Sequence, residues 1–238
     1  MLGMVGGLGP RATVEFYSAF MNTVTGGTEG CLPRLLMYSV AMSPRIENAF
    51  LQGRVDDDAP HRLQVRSLLN EAVTHFLKNR VDVAVMPCNT LQDELTALCR
   101  QQGLGNINMI DETADAIVRA DSRRVLILGT ASTYCDDLYG RRLTARGVEC
   151  VYPTAAEQEF VETYIRLALD CKVDSAVQDR FAGQVSQMAR DTDGVVLACT
   201  DLSNDVSPAL CGKPVFDSLQ ILAKASAEYV MARDELFV

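Results

Sequence analysis

Positive charge is scarce in this sequence. Its 22 Lys and Arg stand against 31 Asp and Glu, giving a formal net charge of −9 and a pI near 4.8. A phosphate backbone needs a basic face, so no nucleic-acid partner is expected. Long apolar runs are also missing. The longest, such as 81–88, fall far short of the roughly 18 residues of a membrane span, so no membrane partner is expected. No charged segment precedes an apolar stretch in Met1-Leu-Gly-Met-Val-Gly-Gly7, so no secretory signal is expected and the chain reads as cytoplasmic. Histidine occurs only at His61 and His75, and the eight cysteines include no C-x-x-C pair. That spacing argues against a zinc or iron–sulfur site, and no metal is expected. A disulfide framework does not suit a chain of this size without an export signal. Pro/Ser-rich linkers and low-complexity segments are absent.

What remains is an ordinary globular mixture. The 238 residues are 48% hydrophobic and 22% charged, long enough for one large domain or two small ones around a substantial core. Short apolar runs at 2–5, 35–40, 81–86, 107–110, 125–128, 148–152, 195–198 and 214–216 read as strands. Helical patterns separate them, which predicts an α/β fold with mainly parallel sheets. The clearest helix covers 61–79, where Val65, Leu68, Leu69, Ala72, Val73, Phe76 and Leu77 fall on one stripe. Another starts at Pro10, and further helices are read at 92–102, 112–120, 133–146, 156–170, 175–191 and 218–232.

The two halves echo each other. A strand runs into Gly6-Gly7-Leu8-Gly9 in the first and into Gly129-Thr130 in the second. Each half then has a strand ending in cysteine, before Asn89-Thr90 in one and before Thr200 in the other. Each closes on a strand, an Asp (Asp111, Asp217) and a helix, with the Asp read as an N-cap. Two similar lobes related by a pseudo-two-fold are predicted.

Ligands of parallel sheets bind beyond the carboxyl ends of the strands, where Cys88 and Cys199 fall. Helix starts beside them offer N–H groups to an anion, and Thr90 and Thr200 add hydroxyls. Facing lobes would place two thiols around one small carboxylate-bearing molecule. Opposed acid and base groups are what racemisation of an amino acid needs, because one removes the α-proton and the other returns a proton to the opposite face. The carbanion then needs N–H and hydroxyl groups around its carboxylate. The other six cysteines read as small buried hydrophobes.

These stretches, Gly3-Met-Val-Gly-Gly-Leu-Gly-Pro-Arg-Ala-Thr13, Met86-Pro-Cys-Asn-Thr90, Leu128-Gly-Thr130 and Leu197-Ala-Cys-Thr-Asp-Leu202, resemble the aspartate/glutamate racemase family. The resemblance implies two Rossmann-like lobes with the active site in the cleft between them. It divides the chain into 1–105 plus 212–238 and 106–211. It also implies a reaction without pyridoxal phosphate, metal or other cofactor, and a homodimer. Cys88 and Cys199 match the family's catalytic pair. Asn89, Thr90, Thr130 and Thr200 match substrate-binding positions, and Gly7 and Gly9 match the loop that approaches the ligand. Arg45 matches a basic residue that holds a side-chain carboxylate.

The sequence also departs from the family. Gln92 stands where a histidine is common, Asp201 where a glutamate is common, and Phe160 where some relatives carry a lysine. The substrate therefore stays open to neutral or apolar amino acids, and which cysteine serves which enantiomer is not legible. Three other readings remain. Gly7-x-Gly9-x-x-Ala12 fits a dinucleotide loop, but Glu29 lies in a glycine-rich loop rather than at a strand end. A sister enzyme (hydantoin racemase, maleate isomerase or decarboxylase) would reuse the cleft. So would a non-catalytic amino-acid-binding relative.

Overall fold

Most of the strands are short and apolar, as strands buried under helices on both faces must be. The computed structural model describes residues 1–27, 32–43, 46, 60–207 and 212–233. In it, β1 (Leu2–Gly6), β2 (Leu35–Ser39), β3 (Val83–Val85) and β4 (Gly105–Asn106) form one parallel sheet in the order β2-β1-β3-β4. A second parallel sheet holds β5 (Arg124–Leu128), β6 (Glu149–Val151), β7 (Gly194–Leu197) and β8 (Val215–Asp217), in the order β6-β5-β7-β8. Each sheet changes winding direction between its two central strands, β1 and β3 in one and β5 and β7 in the other. The repeat seen in sequence is thus a repeat of topology.

The helices are α1 (Pro10–Gly27), α2 (Pro60–Lys78), α3 (Gln92–Gln102), α4 (Met109–Arg119), α5 (Ala131–Cys135), α6 (Gly140–Thr144), α7 (Ala155–Leu169), α8 (Ser175–Met188) and α9 (Ser218–Met231). Strand side chains alternate between two layers. Leu2, Met4, Val83 and Val85 of the first sheet share one core with Val125, Ile127 and Val196 of the second. Phe16 and Phe20 of α1, Ile110 and Ala114 of α4, and Leu219 and Leu222 of α9 complete that core, so three helices lie between the sheets. The alternate residues face outward. Ala84 packs with Leu69, Val73 and Phe76 of α2, while Leu126, Leu128 and Val195 pack with Val161, Ile165 and Phe181 of α7 and α8. Each such apolar side chain contributes about 1.5–3 kcal/mol on burial.

Several expected boundaries shift. The apolar run 107–110 is not a strand: Asn108 accepts from the N–H groups of Ile110 and Asp111, so α4 starts at Met109. Asp111 therefore lies inside the helix and is not its cap. Asp217 does cap α9, accepting from Leu219 and Gln220. The helix read at 133–146 breaks into α5 and α6, because Asp137 takes φ 47°. A Cβ at Gly140 would lie 2.1 Å from the Asp137 carboxylate, so a larger residue where the chain resumes its helix would have to turn that side chain aside. On α2, Leu77 is exposed instead of joining the buried stripe. The strand 215–217, assigned with the first lobe by the expected division, hydrogen-bonds to β7 in the second sheet. The helix that follows it packs against α1 and α4.

Candidate active site

Four loops at the carboxyl ends of β1, β3, β5 and β7 converge, so both switch points contribute to one place. After β1 the backbone turns through Gly7 at φ 85° and Gly9 at φ 86°. A Cβ on Gly7 would sit 2.4 Å from the carbonyl oxygen of Val40, so both conformation and space demand glycine. Thr13 fastens the loop: its hydroxyl accepts from the Gly7 N–H at 3.0 Å and donates to the Gly9 carbonyl at 3.1 Å.

Cys88, Asn89 and Thr90 follow β3, Thr130 follows β5, and Cys199, Thr200 and Asp201 follow β7. All seven line one cavity with Gly9. The rest of its wall is apolar, formed by Leu8, Met42, Leu91, Leu169 and Ala198. It encloses about 60 Å³. The Thr130 hydroxyl is buried there with no hydrogen-bond partner among the described residues. Gly7 shapes the loop without lining the cavity, and Arg45 lies outside the described residues.

Burial dominates the acidity of both thiols. It pushes half-buried Cys88 up to about 12; the backbone N–H groups of Leu91 and Thr90 oppose this, and the charge of Asp201 reinforces it. Cys199 is held well above the ordinary thiol range by burial and then by Asp201. Its Sγ donates to Asp201 Oδ2 at 3.7 Å. The charge of Cys88 also raises Cys199.

A hydrogen-bonded chain not legible in the sequence ties the two cysteine segments together. Tyr139 OH donates to Asn89 Oδ1 at 2.7 Å, Asn89 Nδ2 donates to Ser218 Oγ at 3.0 Å, and Ser218 donates to the Leu197 carbonyl at 2.7 Å. Asn89 follows Cys88 directly, and Leu197 lies two residues before Cys199. Ser218 follows a capping aspartate, which was the only clue to it, and Tyr139 sits in the unforeseen break between α5 and α6.

The departures fall away from the cavity wall, with one exception. Gln92 is fully buried and accepts from the Met109 N–H at 3.2 Å, supporting the start of α4. Phe160 stacks on Phe181 with ring centroids 5.9 Å apart. His75 is exposed on α2 and stacks on Tyr38, away from the cavity. Asp201 alone lines the cavity.

Comparison with known proteins agrees with this fold. The sequence model of the Asp/Glu/Hydantoin racemase family matches residues 5–226. The broad specificity amino-acid racemase RacX of Bacillus subtilis is 22% identical, over 98% of this chain and 99% of that protein. A candidate Asp/Glu racemase from Yersinia pestis superposes with TM-score 0.81 at 24% identity, covering 97% of this chain and 98% of that one. An aspartate racemase homologue from Pyrococcus horikoshii superposes with TM-score 0.79 at 23% identity, with the same coverage of both chains. At these identities the two solved structures establish the shared fold.

Proposed function

The chain belongs to the Asp/Glu/Hydantoin racemase family and is an amino-acid racemase, and we propose that Cys88 and Cys199 are its two opposed proton-transfer groups. The observation that carries this is their place: two thiols, from two topologically equivalent strand ends, line one small cavity. One cysteine, as thiolate, takes the substrate's α-proton, while the other, as thiol, gives its proton to the opposite face of the carbanion. The pair ends with roles exchanged, ready for the reverse reaction. No external cofactor enters these steps.

The surrounding groups have matching tasks. Thr90, Thr130 and Thr200 present hydroxyls to the α-carboxylate, where charge builds as the α-proton leaves. Asp201 receives the α-ammonium. Its charge helps keep both thiols protonated. A bound ammonium offsets that charge, so the thiolate forms when substrate is present. A thiolate in so dry a place is also a stronger base than one in water. Asn89 acts by holding the Cys88 loop.

Proton NMR in D₂O tests this reading. Loss of the α-proton signal is expected with the wild type and not with Cys88→Ser or Cys199→Ser. Exchange retained by the double variant would overturn it. Among the described residues no helix is long and apolar enough to cross a membrane. The homodimer remains the reading by family resemblance, and light scattering at twice the 26.0 kDa chain mass would support it.

A further inference from the structure

One guanidinium fastens the turn that carries Tyr139. Arg142 of α6 donates in three directions: Nη1 to the Leu138 carbonyl at 2.9 Å, Nη2 to Asp93 Oδ1 at 2.6 Å and Nε to Asp111 Oδ1 at 2.9 Å. We propose that Arg142 is a positioning residue for racemisation. It fixes the Leu138–Tyr139 turn against α3 and α4, and through the Tyr139 hydroxyl it sets Asn89 and the adjoining Cys88. This rests on the role given to Cys88 above.

Each contact falls where it bears on Cys88. Asp93 lies in the first turn of α3, which continues from the cysteine segment: the Gln92 N–H donates to the Asn89 carbonyl at 3.2 Å. Asp111 lies in the first turn of α4, just after β4, the strand beside β3. Leu138 precedes Tyr139 at the break where Asp137 takes φ 47°. A non-glycine residue is disfavoured in that conformation, so contacts must hold the break in place. Arg142 binds the break's own carbonyl and the two helices it faces.

The neighbouring arginine gives the contrast. Arg141 takes the other carboxylate oxygen of Asp93, but its side chain is 54% exposed, where solvent screens the pair. Arg142 is 15% exposed, so its charge-assisted bonds count for more. Its planar fork serves three acceptors in fixed directions, which the single ammonium of a lysine does not reproduce.

Initial rates of racemisation are measured on the standard chiral amino acid whose α-proton the wild type exchanges fastest in D₂O. Both enantiomers are used, with and without α-deuterium. Arg142→Lys should lower kcat about tenfold or more and leave KM within about twofold, because the hydroxyls that meet the α-carboxylate are untouched. The isotope effects identify the cause. With Cys88 misplaced, its proton transfer becomes the slow step in both directions. The α-deuterium effect should then rise for the enantiomer that Cys88 deprotonates and fall toward unity for the other. A mere loss of folded enzyme would change neither. Asp111→Asn should show the same opposed shifts more weakly, which covers an Arg142→Lys chain that does not fold. Arg141→Gln should keep kcat within about twofold. Adding Arg142→Lys to Tyr139→Phe should cost less than about threefold more. Unchanged isotope effects, an additive double variant or an equal loss in Arg141→Gln would overturn this proposal and leave the role of Cys88 standing. Exchange retained by Cys88→Ser, or absent from the wild type, would overturn that role and this proposal with it.

Discussion

Asn89 donates its side-chain N–H to the hydroxyl of Ser218 at 3.0 Å, a bond between residues 129 positions apart. Ser218 passes the connection on to the Leu197 carbonyl. The segments that carry the two thiols are therefore joined through a serine bonded to Asn89 and to the Leu197 carbonyl. Ser218→Ala leaves both Asn89 Nδ2 and the Leu197 carbonyl without this partner. It should lower stability by about 1–3 kcal/mol. Racemisation should fall about tenfold or more, because proton transfer is sensitive to small misplacements. Urea unfolding and α-proton exchange check the two effects separately.

Tyr139→Phe probes the other end of that chain. Tyr139 is fully buried, and its hydroxyl donates to Asn89 Oδ1. Removing it leaves an acceptor unsatisfied, at about 1–3 kcal/mol. If the network acts as a unit, the losses from Tyr139→Phe and Ser218→Ala should not add. A double-mutant cycle on unfolding free energies reads this directly.

The thiols give a pH prediction. Burial holds Cys88 near 12 and Cys199 well above its usual range, so both stay protonated and slow to alkylate at pH 8. Among the described cysteines Cys135 and Cys171 are exposed, contrary to the buried role expected of them, and should react with iodoacetamide before Cys88 and Cys199, with activity retained. Peptide mass spectrometry across a pH series checks the order. Racemisation should climb as pH rises above neutrality. The sign for stability is opposite. A folded-state value raised above the unfolded one stabilises fully below about pH 8.5. That contribution is lost as pH rises toward 12, where Cys88 ionises in the folded chain. The stability of Cys88→Ala should decline less steeply over this window than that of the wild type.

The glycine loop separates space from conformation. Gly7→Ala meets both a positive φ and a backbone oxygen 2.4 Å from the new methyl, whereas Gly9→Ala has no atom closer than 3.4 Å. Gly9→Ala should lose about 1–2 kcal/mol from backbone strain alone, and Gly7→Ala clearly more. Thermal unfolding of the two variants side by side would show the difference.

Cys88 and Cys199 are legible in the sequence because each ends a strong apolar strand and is followed by small polar residues. Two repetitions of that pattern imply two equivalent strand ends. The parallel sheets and most helices are legible for the same reason, since periodicity records which face is buried. What periodicity does not record is a single residue with left-handed backbone. Asp137 splits the helix read at 133–146 and so places Tyr139, and nothing in the apolar pattern marks it. Likewise, the run at 107–110 is as apolar as a strand. The amide of Asn108 turns it into a helix start by accepting two backbone N–H groups. Asn89 shows a further limit: its place at the site is legible, but its amide is engaged by partners 50 and 129 positions away.

Because α9 closes the core between the sheets and carries Ser218, the order of synthesis bears on when the site exists. At about 5–20 residues per second, a ribosome reaches Ser218 roughly 6–26 s after Asn89. Until then the Cys88 loop lacks its bond to Ser218, and the apolar face of α1 has not met the helix that covers it. The nascent first half must therefore emerge with its hydrophobic side uncovered, a natural client for chaperones, and the enzyme becomes competent only when its late helix docks.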